Sequence, residues 1–470
     1  MYPSAKAGIR EHKKTNNNKT IGIDLFGFKN LTGLEFKKKL MLRDILSLIN
    51  FYKITFFFFF WKKKGTLRSN NKMATERHKL IYIIAGEPSG DLLASRLMQA
   101  LRDKQPDIRF AGMGGETMTA LGFESLFDIS EISVMGILEV LPKLRLIMRR
   151  LDQVMADIRE RKPDVLVTVD SWGFVRQVLA RLKKEGNKIP KVHYVAPQVW
   201  AWKKGRAKVV AQLVDRLMTL LPYEPPYFEK YGLQCTFVGH PVIENTADLM
   251  NNPTAFKAKY GIPEQCTLMS VLPGSRHSEI KRLIPVFKKI LRKLKKTFPD
   301  LYLVIPSVAA IAGKVEAAFA DLDIPHRVIL GQYERYAAFQ ASIFALAASG
   351  TVSLELTACG TPHVITYKFG YVTNKVAKHF AGTKYANLIN IFADKFVIPE
   401  FILENCRESL IFPTVLNLMQ HPAKAKAQVD ESLQYLLKFK PGDAMPSEKA
   451  AEVVLESLGL IPYRVQEFKV

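Results

Sequence analysis

Three short motifs place polar, glycine and aromatic residues directly after apolar runs of this sequence. They span residues 192–202 (VHYVAPQVWAW), 237–241 (FVGHP) and 272–276 (LPGSR). In open α/β sheets, ligands bind beyond the carboxyl ends of the strands, where such loops lie. The last motif precedes a helix predicted to begin near Ser278, so backbone N–H groups and the guanidinium of Arg276 would converge on one point. This arrangement suits a phosphate and indicates an enzyme that acts on a phosphorylated or nucleotide-linked substrate.

Asp170 ends an apolar run and is followed by Ser171, Trp172 and Gly173. A carboxylate at the end of a buried strand, flanked by Trp172, would have a raised pKa and suit the role of a general base. An aspartate in front of a helical run is also a common helix N-cap. The residues themselves leave both interpretations open.

The loop 86–91 (GEPSGD) follows the first predicted strand and leads into a helix. Its glycines, Gly90 among them, let the backbone approach a ligand, and the helix N-terminus favours an anion. Glu87, Ser89 and Asp91 are therefore candidates for contacts with a substrate, although an ordinary strand-to-helix turn fits equally well. The loop is neither the dinucleotide-binding fingerprint nor a P-loop, so the NAD and ATP signatures are absent.

A third glycine-containing turn lies at residues 348–355 (ASGTVSLE), again between a predicted strand and a helix. The hydroxyl and N–H groups of Ser349, Gly350 and Thr351 suit a phosphate. Glu355, one turn into the helix, is placed to hold a ribose diol. A simple capped helix remains the alternative.

Aromatic and basic residues of two segments suggest surfaces for apolar ligands. Trp172, Trp200 and Trp202 all fall in the predicted loops. This position favours a surface for stacking or for an apolar ligand, and core packing of each single ring is the alternative. The stretch 135–150, which begins at Met135, has an apolar helical face beside Lys143 and several arginines. It predicts contact with a membrane or with acyl chains, or else an ordinary core helix with a basic outer face.

Neither a metal nor a cofactor is expected. The nine histidines include no His-x-x-x-His pair, and the Asp-x-Asp formed by Asp321 and Asp323 is interpreted as a solvated turn. The four cysteines lie far apart with no Cys-x-x-Cys spacing, which argues against a zinc ribbon or a disulfide framework and fits a reducing compartment.

The net charge of +24 is unevenly distributed along the 470 residues. Residues 1–72 carry 16 basic and 4 acidic side chains, a net charge of +12, together with a run of five phenylalanines. This extension is interpreted as an over-extended start ahead of Met73, as a peripheral or spanning membrane anchor, or as another targeting segment. The charge of the remainder suits anionic ligands or an anionic membrane, and without a recognised motif it does not predict nucleic-acid binding.

The apolar runs from residue 80 onward alternate with helical patterns, which predicts an α/β fold. Continuous rather than alternating apolar strands indicate burial on both faces, as in a parallel sheet. Strands are predicted at 80–85, 164–169, 191–195, 217–221 and 236–238, and again at 268–272, 302–305, 327–330, 343–347 and 363–366. We therefore expect two doubly wound, Rossmann-like units facing a central cleft. The expected boundaries are 73–243 for the first domain, 244–440 for the second domain, and 441–470 for a C-terminal helix, with its return to the first domain left open.

Several of these motifs, in this order, resemble those of the lipid-A-disaccharide synthases, glycosyltransferases of the GT-B type and of family 19. The matching pieces are 85–91 (AGEPSGD), 133–141 (SVMGILEVL), 194–202 (YVAPQVWAW), 272–276 (LPGSR) and 349–351 (SGT). The resemblance covers nearly the whole chain after Met73. It implies two Rossmann-like domains and an inverting hexosyltransferase of lipid A biosynthesis.

The reaction implied by this resemblance moves 2,3-diacylglucosamine from UDP to 2,3-diacylglucosamine 1-phosphate (lipid X). The products would be the β-1′,6-linked disaccharide 1-phosphate and UDP. The family works at the cytoplasmic face of the inner membrane, so a cytoplasmic, peripherally associated enzyme is expected, with a homodimer as an open expectation.

The resemblance also assigns roles to individual residues. Asp170 matches the essential acid and would deprotonate the attacking 6-hydroxyl, an effect worth about 10²–10⁴ in rate. Arg276 would neutralise phosphate charge as UDP departs, without a metal. The residues expected to hold the nucleotide sugar are Gly274, Ser275, Ser349, Gly350, Thr351, Glu355 and Asn387.

Two positions depart from the family pattern. The family loop usually reads Asp-x-Pro-Asp-Phe, whereas Gly173 stands here at the second acid. Leu403 stands where the family tends to have a glutamine three positions after a Pro-Glu pair. The first departure puts any role of the second acid in doubt, and the second would weaken UDP binding modestly or reflects a slip of one residue in the match.

Two alternatives remain. A UDP-sugar epimerase shares the architecture but needs no acyl-chain surface, so the apolar and basic segment 135–150 counts against it. A non-catalytic nucleotide-sugar-binding protein or membrane-attached scaffold would explain the departures at Gly173 and Leu403, and UDP binding without turnover would favour it.

Overall fold

The structure, a computed structural model, describes residues 78–132, 137–200, 205–245, 253–368 and 384–462. The N-terminal extension, Met135 and Trp202 lie outside these ranges. Two parallel sheets organise the described chain, one in the first half (residues 78–245) and one in the second half (from residue 253).

The sheet of the first half has six parallel strands in the order β2-β1-β3-β4-β5-β6. Its strands are β1 (Leu80–Ala85), β2 (Arg109–Met113), β3 (Val165–Val169), β4 (Lys191–Tyr194), β5 (Arg216–Thr219) and β6 (Gln234–Phe237). The helices are α1 (Pro88–Lys104), α2 (Glu116–Thr119), α3 (Ile137–Arg161), α4 (Trp172–Lys184), α5 (Arg206–Leu213), α6 (Pro226–Glu229) and α7 (Val242–Asn245). A short 3₁₀ turn lies at Ile129–Glu131. Every residue of β3 is buried, as expected for a strand covered by helices on both faces.

The sheet of the second half has six parallel strands in the order β12-β11-β10-β7-β8-β9. Its strands are β7 (Thr267–Leu272), β8 (Leu301–Pro306), β9 (His326–Ile329), β10 (Phe344–Ala348), β11 (His363–Tyr367) and β12 (Glu400–Ile402). The helices are α8 (Pro253–Tyr260), α9 (His277–Thr297), α10 (Ala309–Phe319), α11 (Gln332–Ala341), α12 (Val352–Ala358), α13 (Leu388–Ala393), α14 (Glu408–Gln420) and α15 (Pro422–Leu437). The strand order reverses between β10 and β7, the kind of switch point at which α/β sheets bind ligands.

A final helix, α16 (Pro446–Ser457), packs on the first sheet, although it follows the second sheet in the sequence. Ala450, Val453 and Val454 are buried in one cluster with residues of β1, β3 and α1. Arg216 of β5 donates to the Val453 carbonyl at 3.2 Å and pairs with Glu456 at 2.7 Å. The C-terminal helix is thereby tied to the first half by both apolar packing and a buried ion pair.

One apolar cluster joins the two halves. Trp200, Leu221 and Val242 of the first half are buried together with Leu272 and Tyr336 of the second half. The segments that follow β4, β5 and β6 therefore pack against β7 and α11 of the second half.

The predicted alternation is confirmed, with some boundaries corrected. Each of the ten predicted strands coincides with an observed one, while β2 and β12 were not predicted. Helix α1 begins at Pro88 rather than at residue 92, because proline suits the first helical position, where its missing N–H costs nothing. Within the described residues, no helix is both long and apolar enough to cross a membrane.

Candidate active site

Asp170 lies in a tight turn at the carboxyl end of β3. Its backbone N–H donates to the Tyr194 carbonyl of β4 at 2.9 Å. Both Asp170 (φ 52°) and Ser171 (φ 45°) adopt the left-handed conformation, which is uncommon for residues other than glycine. The N-cap of α4 is Ser171, so Asp170 is not the capping residue. Strained backbone of this kind concentrates at functional sites.

Burial raises the pKa of the Asp170 carboxyl above its ordinary value. Hydrogen bonds from the Ser171 backbone and the Ser89 side chain oppose this shift without cancelling it. Gly90 allows the close packing, since a Cβ there would lie 3.2 Å from the Val169 carbonyl oxygen and 3.8 Å from the Cβ of Asp170. The predicted rise in pKa is therefore confirmed, and its cause is burial beneath the start of α1.

Glu87 forms a second carboxylate beside Asp170. The Ser171 hydroxyl donates to its Oε1 at 3.2 Å. Burial and then the charge of Asp170 raise the Glu87 pKa, while the Ser171 hydrogen bond and the charge of Arg276 lower it. Arg276 belongs to the second half, so groups from both halves act on one another here. The loop 86–91 and the Asp170 turn thus adjoin one another, and the charge of Arg276 in the loop 272–276 is close enough to act on Glu87.

His193 of β4 supports this turn from within the core. Its Nδ1 lies 2.8 Å from the Thr168 hydroxyl, and its ring contacts the Trp172 ring at a centroid distance of 5.1 Å. Complete burial lowers the His193 pKa to about 4, which keeps the ring neutral at physiological pH. His193 and Trp172 therefore pack beneath the site, and this histidine is not a proton carrier at its surface.

Asp91 has a structural role that the sequence did not reveal. It is buried, and its carboxylate accepts hydrogen bonds from Gly115 N (2.7 Å), Thr117 N (2.8 Å), Thr117 Oγ1 (2.6 Å) and Met118 N (3.2 Å). These bonds fix the loop after β2 and the start of α2. Asp91 therefore anchors that loop, and a substrate contact at Asp91 stays a prediction.

The loop 272–276 differs in one respect from its predicted form. The N–H groups of Ser275 and Arg276 donate to the Glu279 carboxylate at 3.0 and 3.2 Å. Glu279 lies in the first turn of α9, where a glutamate commonly caps the preceding backbone. The expected convergence of these N–H groups on a phosphate is corrected: a buried carboxylate accepts them instead. The Arg276 guanidinium is half exposed and pairs with the Glu279 carboxylate at 3.5 Å.

The turn 349–351 begins α12 in the second half. The Ser349 N–H donates to the Thr366 carbonyl at 2.8 Å, and Thr351 is the N-cap residue. No described atom lies within 4 Å of where a Cβ on Gly350 would stand, so the loop has open space on that side. This is compatible with the predicted nucleotide contact.

Glu355 is buried in α12, and its Oε1 already has partners. The Arg335 guanidinium donates to it at 2.8 Å and the Tyr336 hydroxyl at 3.4 Å. Burial raises the Glu355 pKa, and the charge of Arg335 opposes the rise. A ribose hydroxyl would therefore meet a carboxylate held in place by Arg335.

Asn387 caps a helix. Its Oδ1 accepts from the N–H groups of Ile389 (2.8 Å) and Asn390 (3.4 Å), and its Nδ2 donates to the Ser353 hydroxyl. Because Asn387 is buried, its described contacts position the start of α13 against α12. Asn387 therefore has a positioning role within the fold, and its nucleotide contact stays a prediction.

Trp200 is also a core residue. It is buried where the two halves meet, and its indole Nε1 donates to the Glu224 carboxylate at 3.2 Å. The expectation of an exposed stacking surface does not hold for this ring. Glu224 itself was missed by sequence reasoning, because nothing near it in the chain identifies its partner 24 residues away.

Comparison with known proteins identifies the family. The family model described as lipid-A-disaccharide synthetase matches residues 81–454. A lipid-A-disaccharide synthase from Paramagnetospirillum magneticum is 45% identical over 380 residues, which cover 80% of this chain and 97% of that protein. One from Rickettsia typhi is 36% identical over 378 residues, covering 80% of this chain and 98% of that protein. The chain belongs to the lipid-A-disaccharide synthetase family.

Solved structures support the GT-B fold of this family member. S. aureus MnaA, solved with UDP, superposes with a TM-score of 0.61 at 14% identity, covering 83% of this chain and all of that one. A UDP-N-acetylglucosamine 2-epimerase superposes with a TM-score of 0.56, also at 14% identity, covering 84% of this chain and all of that one. At these identities the likeness shows the fold alone, so it does not favour the epimerase alternative.

The two departures from the family pattern have a clear local structure. Gly173 is exposed in the first turn of α4, and no described atom lies within 4 Å of a Cβ placed on it. Leu403 starts a 3₁₀ turn (Leu403–Asn405) with a φ of 58°.

Proposed function

We propose that this protein transfers 2,3-diacylglucosamine from UDP to the 6-hydroxyl of 2,3-diacylglucosamine 1-phosphate, giving the lipid A disaccharide 1-phosphate and UDP. Its family membership makes it a glycosyltransferase of lipid A biosynthesis. The observation that carries the specific mechanism is the buried Asp170 at the carboxyl end of β3, beside Glu87, with the charge of Arg276 from the second half acting on Glu87.

In this mechanism Asp170 is the general base. Its carboxylate takes the proton of the acceptor 6-hydroxyl as the oxygen attacks the anomeric carbon of the donor, and the bond from that carbon to the UDP phosphate oxygen breaks. Attack from the face opposite to UDP inverts the anomeric configuration. The raised pKa of Asp170 strengthens it as a base for a hydroxyl proton.

Arg276 is proposed to stabilise the leaving diphosphate. Its guanidinium is half exposed beside the start of α9, and a charged donor placed where negative charge develops lowers the barrier. Gly274 and Ser275 shape this loop, and Ser349, Gly350, Thr351 and Glu355 hold the nucleotide sugar. In this assignment residues 73–243 form the acceptor domain and residues 244–440 the donor domain.

We also propose that helix α3 contacts the cytoplasmic face of the inner membrane. Leu144 and Met148 are exposed on this helix, 48% and 42% respectively. Arg145 and Arg149 are exposed beside them. Apolar side chains flanked by arginines suit an anionic lipid surface, and this placement would bring the acyl-bearing substrates to the site.

The test measures UDP release and disaccharide formation from the two proposed substrates by the full chain. Asp170→Asn keeps the size of the side chain and removes the base, so we expect turnover to fall by at least 100-fold. Asp323→Asn, at an exposed turn of the second half, is the matched control and should keep wild-type turnover. UDP binding by the wild type without any disaccharide would refute the proposal and favour a non-catalytic binding protein.

A further inference from the structure

A cavity of about 1220 Å³ opens at the carboxyl end of β2, outside the site already described. It lies between the first turn of α1, the loop and helix that follow β2, and the segment leading to the 3₁₀ turn. Its surface is mostly carbon. The lining residues that carry the argument are Pro88, Asp91, Ala120, Phe123, Phe127 and Ile129.

The apolar floor of the cavity is part of the protein core. Phe123, Phe127 and Ile129 are 3%, 7% and 8% exposed, so the core holds these side chains in place and each presents only a narrow apolar edge to the cavity. The Arg150 guanidinium lies over the Phe127 ring at 4.8 Å from the centroid. A rigid apolar wall of this kind favours an apolar ligand, since little conformational freedom is lost when the ligand binds.

The opposite wall is held by the anchor that Asp91 provides. Its carboxylate fixes the N–H groups of Gly115, Thr117 and Met118, which form the loop after β2. The Asp91 carboxylate is therefore held by hydrogen bonds to the loop, which gives this wall of the cavity a fixed shape.

The cavity adjoins the two carboxylates. Pro88 lines the cavity. The preceding residue, Glu87, accepts a hydrogen bond from the hydroxyl of Ser171, which follows Asp170 in the same turn. The sheet order β2-β1-β3 separates the cavity from Asp170 by two strand spacings, or about 10 Å. A substituent of a sugar held at Asp170 can reach this distance.

The rim of the cavity is acidic. Glu116, Glu124 and Asp128 line it and are exposed. The described residues contain no cluster of three or more ligating side chains fit to hold a metal ion. Carboxylates repel a phosphate, so the part of an anionic substrate that enters here is its uncharged, apolar part.

We propose that this cavity binds an acyl chain of the acceptor, an inference that rests on the proposed function. The phosphate end of the acceptor then stays outside the acidic rim, and the chain lies against Phe123, Phe127 and Ile129. The volume exceeds that of most pockets for small ligands, about 300–1,000 Å³, so it accommodates a long chain. Each buried methylene raises affinity about fourfold, which makes the cavity a determinant of chain length.

The test fills the cavity from its edge with Ala120→Trp. Ala120 is exposed at the end of α2 with ordinary helical backbone angles (φ −59°, ψ −21°), so a large side chain there should not prevent folding. Ala320→Trp is the matched control, because Ala320 is exposed at the end of α10 with nearly the same angles (φ −58°, ψ −27°). Ala120→Leu, a smaller filler, serves if the tryptophan variant is poorly folded, and UDP binding checks the fold of each.

We expect Ala120→Trp to raise the KM for the long-chain acceptor at least tenfold. For an acceptor whose chain is shorter by four or more carbons, the KM should rise less than threefold. UDP affinity and the KM of the donor should stay unchanged, and Ala320→Trp should behave as wild type. An unchanged acceptor KM, an equal loss for both chain lengths, or an effect on the donor alone would overturn the inference. Wild-type protein without turnover would instead refute the proposed function, so the two failures are distinguishable.

Discussion

A Cβ atom on Gly274 would lie 2.4 Å from the Oε2 atom of Glu279. That oxygen accepts the N–H groups of Ser275 and Arg276, and the Tyr367 hydroxyl donates to the other oxygen at 3.2 Å. Gly274 also has a φ of 111°, a conformation that side chains rarely allow. Glycine is therefore the residue that lets the Glu279 carboxylate hold the loop that carries Arg276.

Replacing Gly274 by alanine should damage the site more than the fold. We expect Gly274→Ala to displace the Glu279 carboxylate, lower the free energy of unfolding by about 1–3 kcal/mol, and reduce turnover at least tenfold. Gly313→Ala is the control, because Gly313 lies within α10 with open space around its Cβ position. Gly313→Ala should increase the free energy of unfolding by about 0.5–1 kcal/mol and keep full turnover. Equal effects of the two substitutions, measured by urea unfolding and UDP release, would contradict this account.

The raised pKa of Asp170 predicts the pH dependence of the reaction. The base works only when ionised, so kcat/KM should rise with pH and reach its midpoint above the ordinary aspartate pKa of about 3.9. In Asp170→Asn, kcat/KM should be at least 100-fold lower and should no longer rise with pH in this range. A wild-type midpoint at or below the ordinary value would show that burial does not control this carboxyl.

The raised pKa of Asp170 also predicts a loss of stability with rising pH, whereas kcat/KM rises with pH. A carboxyl whose pKa is higher in the folded state binds its proton more tightly there, so ionisation costs stability as pH rises from the unfolded to the folded pKa. Asp170→Asn removes that cost, and we expect it to be at least as stable as wild type at neutral pH in urea unfolding. A loss of stability in this variant would mean that the carboxylate is needed for the fold itself.

Strands that are buried on both faces could be predicted from the sequence, because they appear as continuous runs of apolar residues. β1 and β3 are continuous apolar runs, and such runs indicate a strand covered on both faces. β2 begins with an exposed Arg109 and contains Gly112, so its pattern is broken. β12 has three residues, which is too short for any periodicity.

The same distinction applies to the site. The position of Asp170 follows from the apolar run of β3 before it, and the end of a buried strand made a raised pKa predictable, although Ser89 and Gly90, which pack against it, could not be identified from the local pattern. The roles of Asn387 and Trp200 depend on Ser353 and Glu224, which are 34 and 24 residues away in the chain. Such partners meet only through the fold, so a sequence pattern could not distinguish a ligand contact from a helix cap or a core residue.

Gly173, where the family usually has an acid, predicts a stabilising substitution. It is exposed in the first turn of α4, and no described atom would obstruct a side chain. We expect Gly173→Asp to increase the free energy of unfolding by about 1 kcal/mol, since it removes a helical glycine and places a negative charge at a helix N-terminus. Gly173→Asn removes the glycine without adding a charge. Its increase in the free energy of unfolding should be smaller than that of Gly173→Asp and should not depend on salt. A destabilised aspartate variant in urea unfolding would contradict this prediction.

Glu224 predicts a second pH dependence, at the cluster where the two halves meet. Its carboxylate is buried, with the Trp200 indole on Oε1 at 3.2 Å and the N–H groups of Leu220 (3.2 Å) and Leu221 (3.1 Å) on Oε2. Burial raises its pKa to about 7 despite these hydrogen bonds. The folded protein thus holds this proton more tightly than the unfolded chain, and stability falls as pH rises from about 4.5 to 7.

Glu224→Gln keeps the oxygen acceptor and cannot ionise, so it should escape this loss. The stability difference between Glu224→Gln and wild type should therefore grow by about 3 kcal/mol in favour of the variant between pH 4.5 and 8. Urea unfolding at a series of pH values measures it. Glu264→Gln, at an exposed position before β7, is the control and should follow the wild-type profile. Parallel profiles for Glu224→Gln and wild type would show that the Glu224 pKa is the same in the folded and the unfolded protein, and that the hydrogen bonds from Trp200, Leu220 and Leu221 compensate fully for its burial.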